Sequence, residues 1–141
     1  MSNRTGHRGY IASRPVRGQL WPQHVQNLVV RDYAQRNGLT YLLSATEYAM
    51  DACYMNLETV LEEIERLDGI ILFSLFMLPE RRERRHALYA RVFEAGADLH
   101  GALEGMPVRS EEDVQRLEDM LMIERALAGP PSAERTVHGL H

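Results

Sequence analysis

The stretch that decides the fold of this 141-residue chain is Gly69-Ile70-Ile71-Leu72-Phe73-Ser74-Leu75-Phe76-Met77-Leu78-Pro79. Between Ile70 and Leu78 every residue except Ser74 is apolar, so polar and apolar residues do not alternate. A strand of this composition is covered on both faces, as the strands of parallel sheets are. The stretch therefore predicts a central parallel strand, which Pro79 ends because proline cannot donate to the ladder.

Strand-like and helix-like segments alternate on both sides of this stretch. Three further strands are predicted, at 8–13, 40–44 and 98–103. Four helices are predicted from apolar periodicity and end signals, at 22–37, 56–68, 80–95 and 111–128. This alternation predicts a single doubly wound α/β domain, residues 1–128, with a mainly parallel four-stranded sheet flanked by helices. We expect residues 129–141, which begin Gly-Pro-Pro, to form a disordered tail.

The composition limits the classes of function. Sixteen basic residues face 20 acidic ones, for a net charge of -4, and the sequence contains no lysine. Schiff-base chemistry and a lysine-containing phosphate loop are therefore excluded. The acidic balance argues against a nucleic-acid partner, and no apolar run is long enough for a membrane helix. The single Cys53 fits a reducing compartment, so we expect a cytoplasmic protein.

In doubly wound sheets ligands bind beyond the carboxyl ends of the strands. The first predicted strand ends at such a position with Tyr10, Ser13, Arg14 and Arg17. A hydroxyl beside two guanidinium groups suits an anion such as a sugar phosphate or a nucleotide. Solvated arginines at a strand end are an equally good interpretation.

The first predicted helix carries Asp32 on the same stripe as its apolar residues. Gln23, Asn27 and Arg31 share the opposite, polar face, and Gln23 is close enough to the strand end to take part in a site. A buried carboxylate must be paired or must change its pKa. Asp32 is therefore predicted either to form a structural salt bridge or to act as a general base.

Two further groups lie at the expected ligand edge. Glu47 and Tyr48 follow the second strand and could perform acid-base chemistry, although an exposed loop pair is the alternative. Ser74 lies in the central stretch, and Arg82 and Arg85 begin the next helix, where the helix dipole disfavours positive charge. A bound anion would explain these arginines; a solvated first turn with Arg–Glu pairs would also do so.

Metal and cofactor sites are not predicted. None of the six histidines is paired with another at i,i+4 or with Cys53 at ligand spacing. Gly9 and Gly18 do not form a dinucleotide-binding fingerprint, and no nucleophile elbow is present.

Several adjoining motifs between Arg8 and about Arg125 resemble the sporadic carbohydrate cluster family, small proteins found in sugar-biosynthesis gene clusters. The motifs are Arg8-Gly9-Tyr10-Ile11-x-Ser13-Arg14-Pro15, Gln26-Asn27-x-x-x-Arg31-Asp32-Tyr33, Leu43-Ser44-x-x-Glu47-Tyr48-x-Met50 and Gly69-Ile70-Ile71-x-x-Ser74-Leu75-x-x-Leu78-Pro79. This resemblance implies a role in making an unusual sugar or a sugar-containing natural product.

The order of elements is also similar, more distantly, to the catalytic domain of serine recombinases. Shared features are Tyr10 on the first strand, a Gln on the first helix, Arg82 and Arg85 after the third strand, and a long last helix. That family carries its nucleophilic serine four residues after the tyrosine, where this sequence has Arg14. Ser13 lies one residue earlier, on the other face of the strand. The resemblance implies a resolvase-like or flavodoxin-like fold, without DNA strand exchange.

Together these features predict a small enzyme that acts on a sugar phosphate or nucleotide-linked sugar by metal-independent acid-base chemistry. Isomerisation, epimerisation, elimination and glycosidic hydrolysis need no metal or redox group. Glu47 or Asp32 would move protons, Tyr10 and Ser13 would place hydroxyls, and the arginines would hold the anion. The alternative is a non-catalytic partner subunit of another pathway enzyme. Met120 and Met122 lie on different faces of the last helix, which predicts a dimer.

Overall fold

The computed structural model of the protein describes residues 5–128. Its strands are β1 (His7–Ala12), β2 (Tyr41–Glu47), β3 (Gly69–Leu72), β4 (Asp98–Gly101) and β5 (Met106–Val108). Its α-helices are α1 (Gln23–Arg36), α2 (Met55–Glu62), α3 (Arg82–Glu94) and α4 (Glu111–Ala128). Two short 3-10 helices follow α2 and β3, at Ile64–Arg66 and Leu75–Met77.

The five strands form one sheet in the order β2-β1-β3-β4-β5. The first three neighbouring pairs are parallel, and β5 is antiparallel to β4. The predicted doubly wound α/β fold with a mainly parallel sheet is therefore confirmed, with one strand more than expected. Sequence periodicity missed β5 because the strand has only three residues, one of them Pro107. It returns beside β4 through a turn in which Gly105 has a φ of 63°.

Strand β3 is the centre of the core. All four of its residues are buried, and β1 and β4 pair with its two edges. The ladder ends at Leu72 rather than at Leu78, because Ser74 caps the 3-10 helix Leu75–Met77, where its hydroxyl accepts a hydrogen bond from the Phe76 amide. The connection after β1 leads to β2 on one side of the sheet, whereas the connection after β3 leads to β4 on the other side. This divergence creates the crevice in which doubly wound folds bind ligands.

Helix α1 packs with a different face from the predicted one. Gln26, Val30 and Tyr33 are buried, whereas Leu28 is 59% exposed. Gln26 faces inward because its side-chain amide hydrogen-bonds both backbone groups of Ala12. The prediction that Asp32 lies on the buried stripe is wrong, because its side chain is 61% exposed and pairs with Arg36 one turn later.

Among residues 5–128, no helix is both long enough and apolar enough to cross a membrane. The predicted tail, residues 129–141, lies outside the described residues.

Candidate functional site

The carboxyl end of β1 is held in place by α1. The Gln26 side chain accepts from the Ala12 amide at 3.0 Å and donates to the Ala12 carbonyl at 2.8 Å. One turn earlier, Gln23 Nε2 donates to Ser13 Oγ at 2.8 Å. Ser13 and Gln23 therefore meet at the strand end, as predicted. In residues 5–128 no imidazole or carboxylate hydrogen-bonds Ser13, so its hydroxyl has no general base beside it.

Arg14 extends from this strand end towards the start of α2. Its Nη1 donates to the carbonyl oxygens of Met50 and Cys53, at 2.9 and 2.7 Å. Its guanidinium carbon lies 5.0 Å from the centroid of the Tyr54 ring, and that of Arg84 lies 4.8 Å from the same centroid. Within the described part of the chain, no carboxylate forms an ion pair with either guanidinium. Two positive charges thus share one aromatic ring without a negative partner.

The side chain of Arg17 reaches the last helix and forms an ion pair there. Its Nη2 is 2.8 Å from Glu124 Oε1 on α4, and its guanidinium carbon is 4.6 Å from the Phe76 ring centroid. Two crevices, each of about 480 Å³, open beside Arg17. Both are lined by Arg17, Phe76, Leu78 and Glu80, so they adjoin at the ends of β1 and β3. The crevice predicted from strand order is therefore present.

Arg85 lines one of these crevices, but its charge is neutralised inside the protein. Its Nε and Nη2 donate to the two Glu118 oxygens at 2.8 and 2.7 Å, and Tyr89 also donates to Glu118 at 2.7 Å. The hydrogen bonds from Arg85 lower the pKa of Glu118 to about 2. Burial, with a contribution from Glu118, raises the pKa of Tyr89. Arg85 therefore anchors α3 to α4, whereas Arg82 is exposed.

Glu47 is the last residue of β2 and is fully buried, so the prediction that it lies in a loop after the strand is wrong, as is the alternative of an exposed loop pair. Its carboxylate accepts from the Tyr10 hydroxyl at 2.8 Å and from the Asn56 and Leu57 amides at 3.0 Å. The side chain therefore caps α2. Burial opposes ionisation of Glu47, but the Asn56 and Leu57 amides and Tyr10 outweigh it and lower the pKa.

Tyr10 is equally buried, and burial together with Glu47 raises its pKa. Neither side chain faces solvent, so the contacts offer no route for proton exchange with a ligand. Tyr48, the predicted partner of Glu47, is half exposed instead.

Three other predicted residues have internal partners. Ser74 is buried and donates to Glu104 Oε2 at 2.7 Å. Asn27 accepts from the Tyr41 hydroxyl at 3.3 Å, and the Arg31 guanidinium carbon lies 5.9 Å from the Tyr41 ring centroid. Because Tyr41 begins β2, Asn27 and Arg31 lie towards the opposite end of the sheet from Arg14.

Sequence reasoning missed two groups of residues. Tyr54 and Arg84 come from separate elements, and only the fold places them beside Arg14.

His7, Asp98 and His100 come together at the amino ends of β1 and β4. Burial opposes ionisation of Asp98, but hydrogen bonds from His100 and His7 hold its pKa well below the usual range. His7 is far from Asp98 and His100 in the sequence, so this cluster can be recognised only when the strand register is known.

Comparison with solved structures identifies the fold. The N-terminal catalytic domain of TP901-1 integrase superimposes with a TM-score of 0.60 at 16% identity, over 85% of this chain and 98% of that chain. The chain has a resolvase-like fold. A resolvase family site-specific recombinase from Streptococcus pneumoniae gives a TM-score of 0.61 at 13% identity, over 95% of both chains. No protein-family model matches the sequence, and no curated protein is significantly similar to it.

These similarities correct the functional prediction. The two structures are of an integrase and of a site-specific recombinase, and they contradict the predicted role in sugar biosynthesis, the small sugar partner and the exclusion of nucleic acid. The resemblance to the carbohydrate cluster family has no support from the comparisons. Net charge is a weak guide to an anionic partner because it sums the whole chain, whereas a phosphate group responds mainly to charges within about 10 Å.

Proposed function

We propose that this protein is a recombinase-like domain that binds the DNA backbone at the carboxyl ends of β1 and β3 and does not cut it. The observation that carries the proposal is the pair of guanidinium groups, Arg14 and Arg84, against the ring of Tyr54. The two similar structures, of an integrase and of a site-specific recombinase, support DNA as the anion.

The electrostatics of this edge favour a polyanion. Arg81 and Arg82 stand at the start of α3, and among the described residues neither has an ion-pair partner. Arg81 occupies the N-cap position without a side-chain cap, so first-turn amides add to the positive potential. Asp51 and Glu80 line the adjoining crevice and disfavour an anion there. Phosphates are therefore expected on the rim formed by the arginines rather than deep in the crevice.

The absence of cleavage follows from the residues at the strand end. The position that carries the nucleophile in the resembling family is Arg14, whose guanidinium is held by two backbone carbonyls. Ser13 accepts its hydrogen bond from an amide, which does not increase the nucleophilicity of a hydroxyl. Arg85, one of the two arginines that the resemblance to serine recombinases singles out, is committed to Glu118.

The proposal is tested by fluorescence anisotropy with a labelled 30-base-pair duplex at about 50 mM salt. We expect Arg84→Gln to weaken binding several-fold, and the charge-preserving Arg84→Lys to restore most of it. Arg36→Gln is the matched control, because Arg36 is an exposed arginine at the far end of α1. Equal affinities of Arg84→Gln and the wild type would contradict the site.

The non-cleaving part of the proposal has its own test. Incubation with supercoiled and linear DNA, followed by denaturing electrophoresis, should give no covalent protein–DNA species and no strand breaks. A covalent adduct that Ser13→Ala abolishes would show that Ser13 acts as a nucleophile after all. The cytoplasmic location expected from the sequence belongs to this proposal, because the protein must reach DNA.

A further inference from the structure

The amino end of the sheet carries a second cluster of polar side chains, far from Arg14. His7 begins β1 and Asp98 begins β4, and both pair laterally with Gly69 of β3. Gly69 has no side chain, so His7 and Asp98 meet across the intervening strand. A Cβ atom at position 69 would collide with Asp98 Oδ1 and come within 2.9 Å of His7 Cδ2.

The third member of the cluster, His100, lies two residues after Asp98 on the same face of β4. Its Nε2 is 3.0 Å from Asp98 Oδ1, and His7 Nε2 is 2.8 Å from the same oxygen. One ligand atom from each of the three residues lies within 4.8 Å of the others. We infer that His7, Asp98 and His100 form a binding site for a divalent transition-metal ion, with Zn²⁺ the best match.

The donor set suits such an ion. Two imidazole nitrogens and one carboxylate oxygen are ligands that zinc binds at about 2.0–2.2 Å. At those distances neighbouring ligand atoms in a tetrahedral site are roughly 3.4 Å apart. The separations of 2.8 and 3.0 Å are therefore shorter than those of a tetrahedral site by roughly half an ångström, and the two imidazole nitrogens lie within 4.8 Å of each other. The fourth ligand would be a water molecule, entering where Asp98 is 20% exposed.

The surroundings of the cluster orient its ligands. Tyr33 on α1 places its hydroxyl 2.7 Å from His100 Nδ1, which fixes the imidazole with Nε2 facing Asp98. His7 Nδ1, by contrast, is buried and has no hydrogen-bond partner among residues 5–128. Hydrogen bonds to the outer ring nitrogens therefore orient His100 but not His7. A bound ion would tie β1, β4 and α1 together and stabilise the fold.

Arg109 gives the inference a distinctive consequence. Its Nε lies 3.2 Å from Asp98 Oδ2, and its side chain is 55% exposed. The guanidinium competes with a metal ion for the charge of the carboxylate. Arg109→Gln should therefore bind metal several-fold more tightly, whereas loss of a merely structural contact would not increase metal affinity.

The test is titration calorimetry with ZnCl₂, supported by the visible absorption of bound Co²⁺. The full chain is used with His138→Ala and His141→Ala, because these two histidines lie outside the described residues and can bind metal themselves. We expect one ion per chain and intense cobalt bands of tetrahedral coordination. Asp98→Asn should weaken affinity at least tenfold, and Tyr33→Phe by about 10- to 100-fold. His86→Gln, at a partly exposed histidine outside the cluster, should leave affinity unchanged.

The inference is overturned if the parent chain fails to bind Zn²⁺ at 100 µM, or if folded Asp98→Asn binds it as tightly as the parent. Should Asp98→Asn not fold, Arg109→Gln decides the matter, because it alters an exposed side chain. Unchanged or weaker Zn²⁺ affinity in that variant would contradict ligation by Asp98.

Discussion

The Arg85–Glu118 pair offers the sharpest stability prediction, because it is buried and joins α3 to α4. Glu118 is 13% exposed and accepts from both Arg85 and Tyr89. Its pKa is about 2 in the folded protein and about 4.5 when unpaired. A folded-state pKa below the unfolded value stabilises the protein above about pH 4.5, and this stabilisation is lost as the pH falls towards 2. The difference corresponds to about 3 kcal/mol.

Glu118→Gln removes that pH-dependent stabilisation and leaves the Arg85 charge buried without its partner. We expect the variant to lose about 3 to 5 kcal/mol of unfolding free energy at pH 7, and its melting temperature to fall by roughly 10 to 17 °C. Urea unfolding at pH 7, 4.5 and 3 measures the effect. The wild type and the variant should converge as the pH falls, because the wild-type carboxylate becomes protonated.

Glu58→Gln is the matched control, since Glu58 pairs with Arg91 at the surface and both side chains are about half exposed. Such a pair contributes about 0–1 kcal/mol, so this variant should unfold almost as the wild type does. A constant stability difference between Glu118→Gln and the wild type from pH 7 to 3 would refute the assignment. So would a loss at pH 7 no larger than that of Glu58→Gln.

Three further predictions concern residues that hold the two ends of the sheet. Glu47→Gln should lower the unfolding free energy measured in urea by about 2 to 4 kcal/mol, because the single oxygen of the Gln side chain cannot accept from Tyr10 and from both backbone N–H groups of α2. A loss under about 1 kcal/mol would contradict the capping role of Glu47. Gly69→Ala should cost more than 2 kcal/mol, since its methyl group collides with Asp98, and an unaltered melting temperature would be inconsistent with that contact. Gln26→Leu should cost about 2 to 4 kcal/mol by leaving the Ala12 backbone groups unpaired, and hydrogen exchange at Ala12 should accelerate.

The fold was largely predictable because it depends on patterns that are local in sequence. The apolar stretch at β3 and the end signals of the helices reflect burial and backbone chemistry within a few residues. The errors arose where tertiary contacts override local pattern. Gln26 faces the core only because Ala12 lies beside it, and this contact turns Asp32 to the surface.

The candidate site was less predictable because it depends on which charges meet. Arg14 and Arg85 are both arginines near the predicted ligand edge, yet one contacts carbonyl oxygens and the other a buried carboxylate. These partners lie 33 or more positions away from the arginines in the sequence. Local sequence cannot distinguish the arginine without a carboxylate partner from the one that holds two helices together.

The salt dependence of DNA binding tests the central claim most directly. For a duplex, the slope of log K against log salt falls by about 0.9 for each phosphate contact that is removed. If Arg14 and Arg84 each contact a phosphate, Arg14→Gln combined with Arg84→Gln should reduce the slope by about 2, while Arg36→Gln leaves it unchanged. A wild-type chain that does not bind duplex DNA at 50 mM salt, or a double variant with the wild-type slope, would contradict the account.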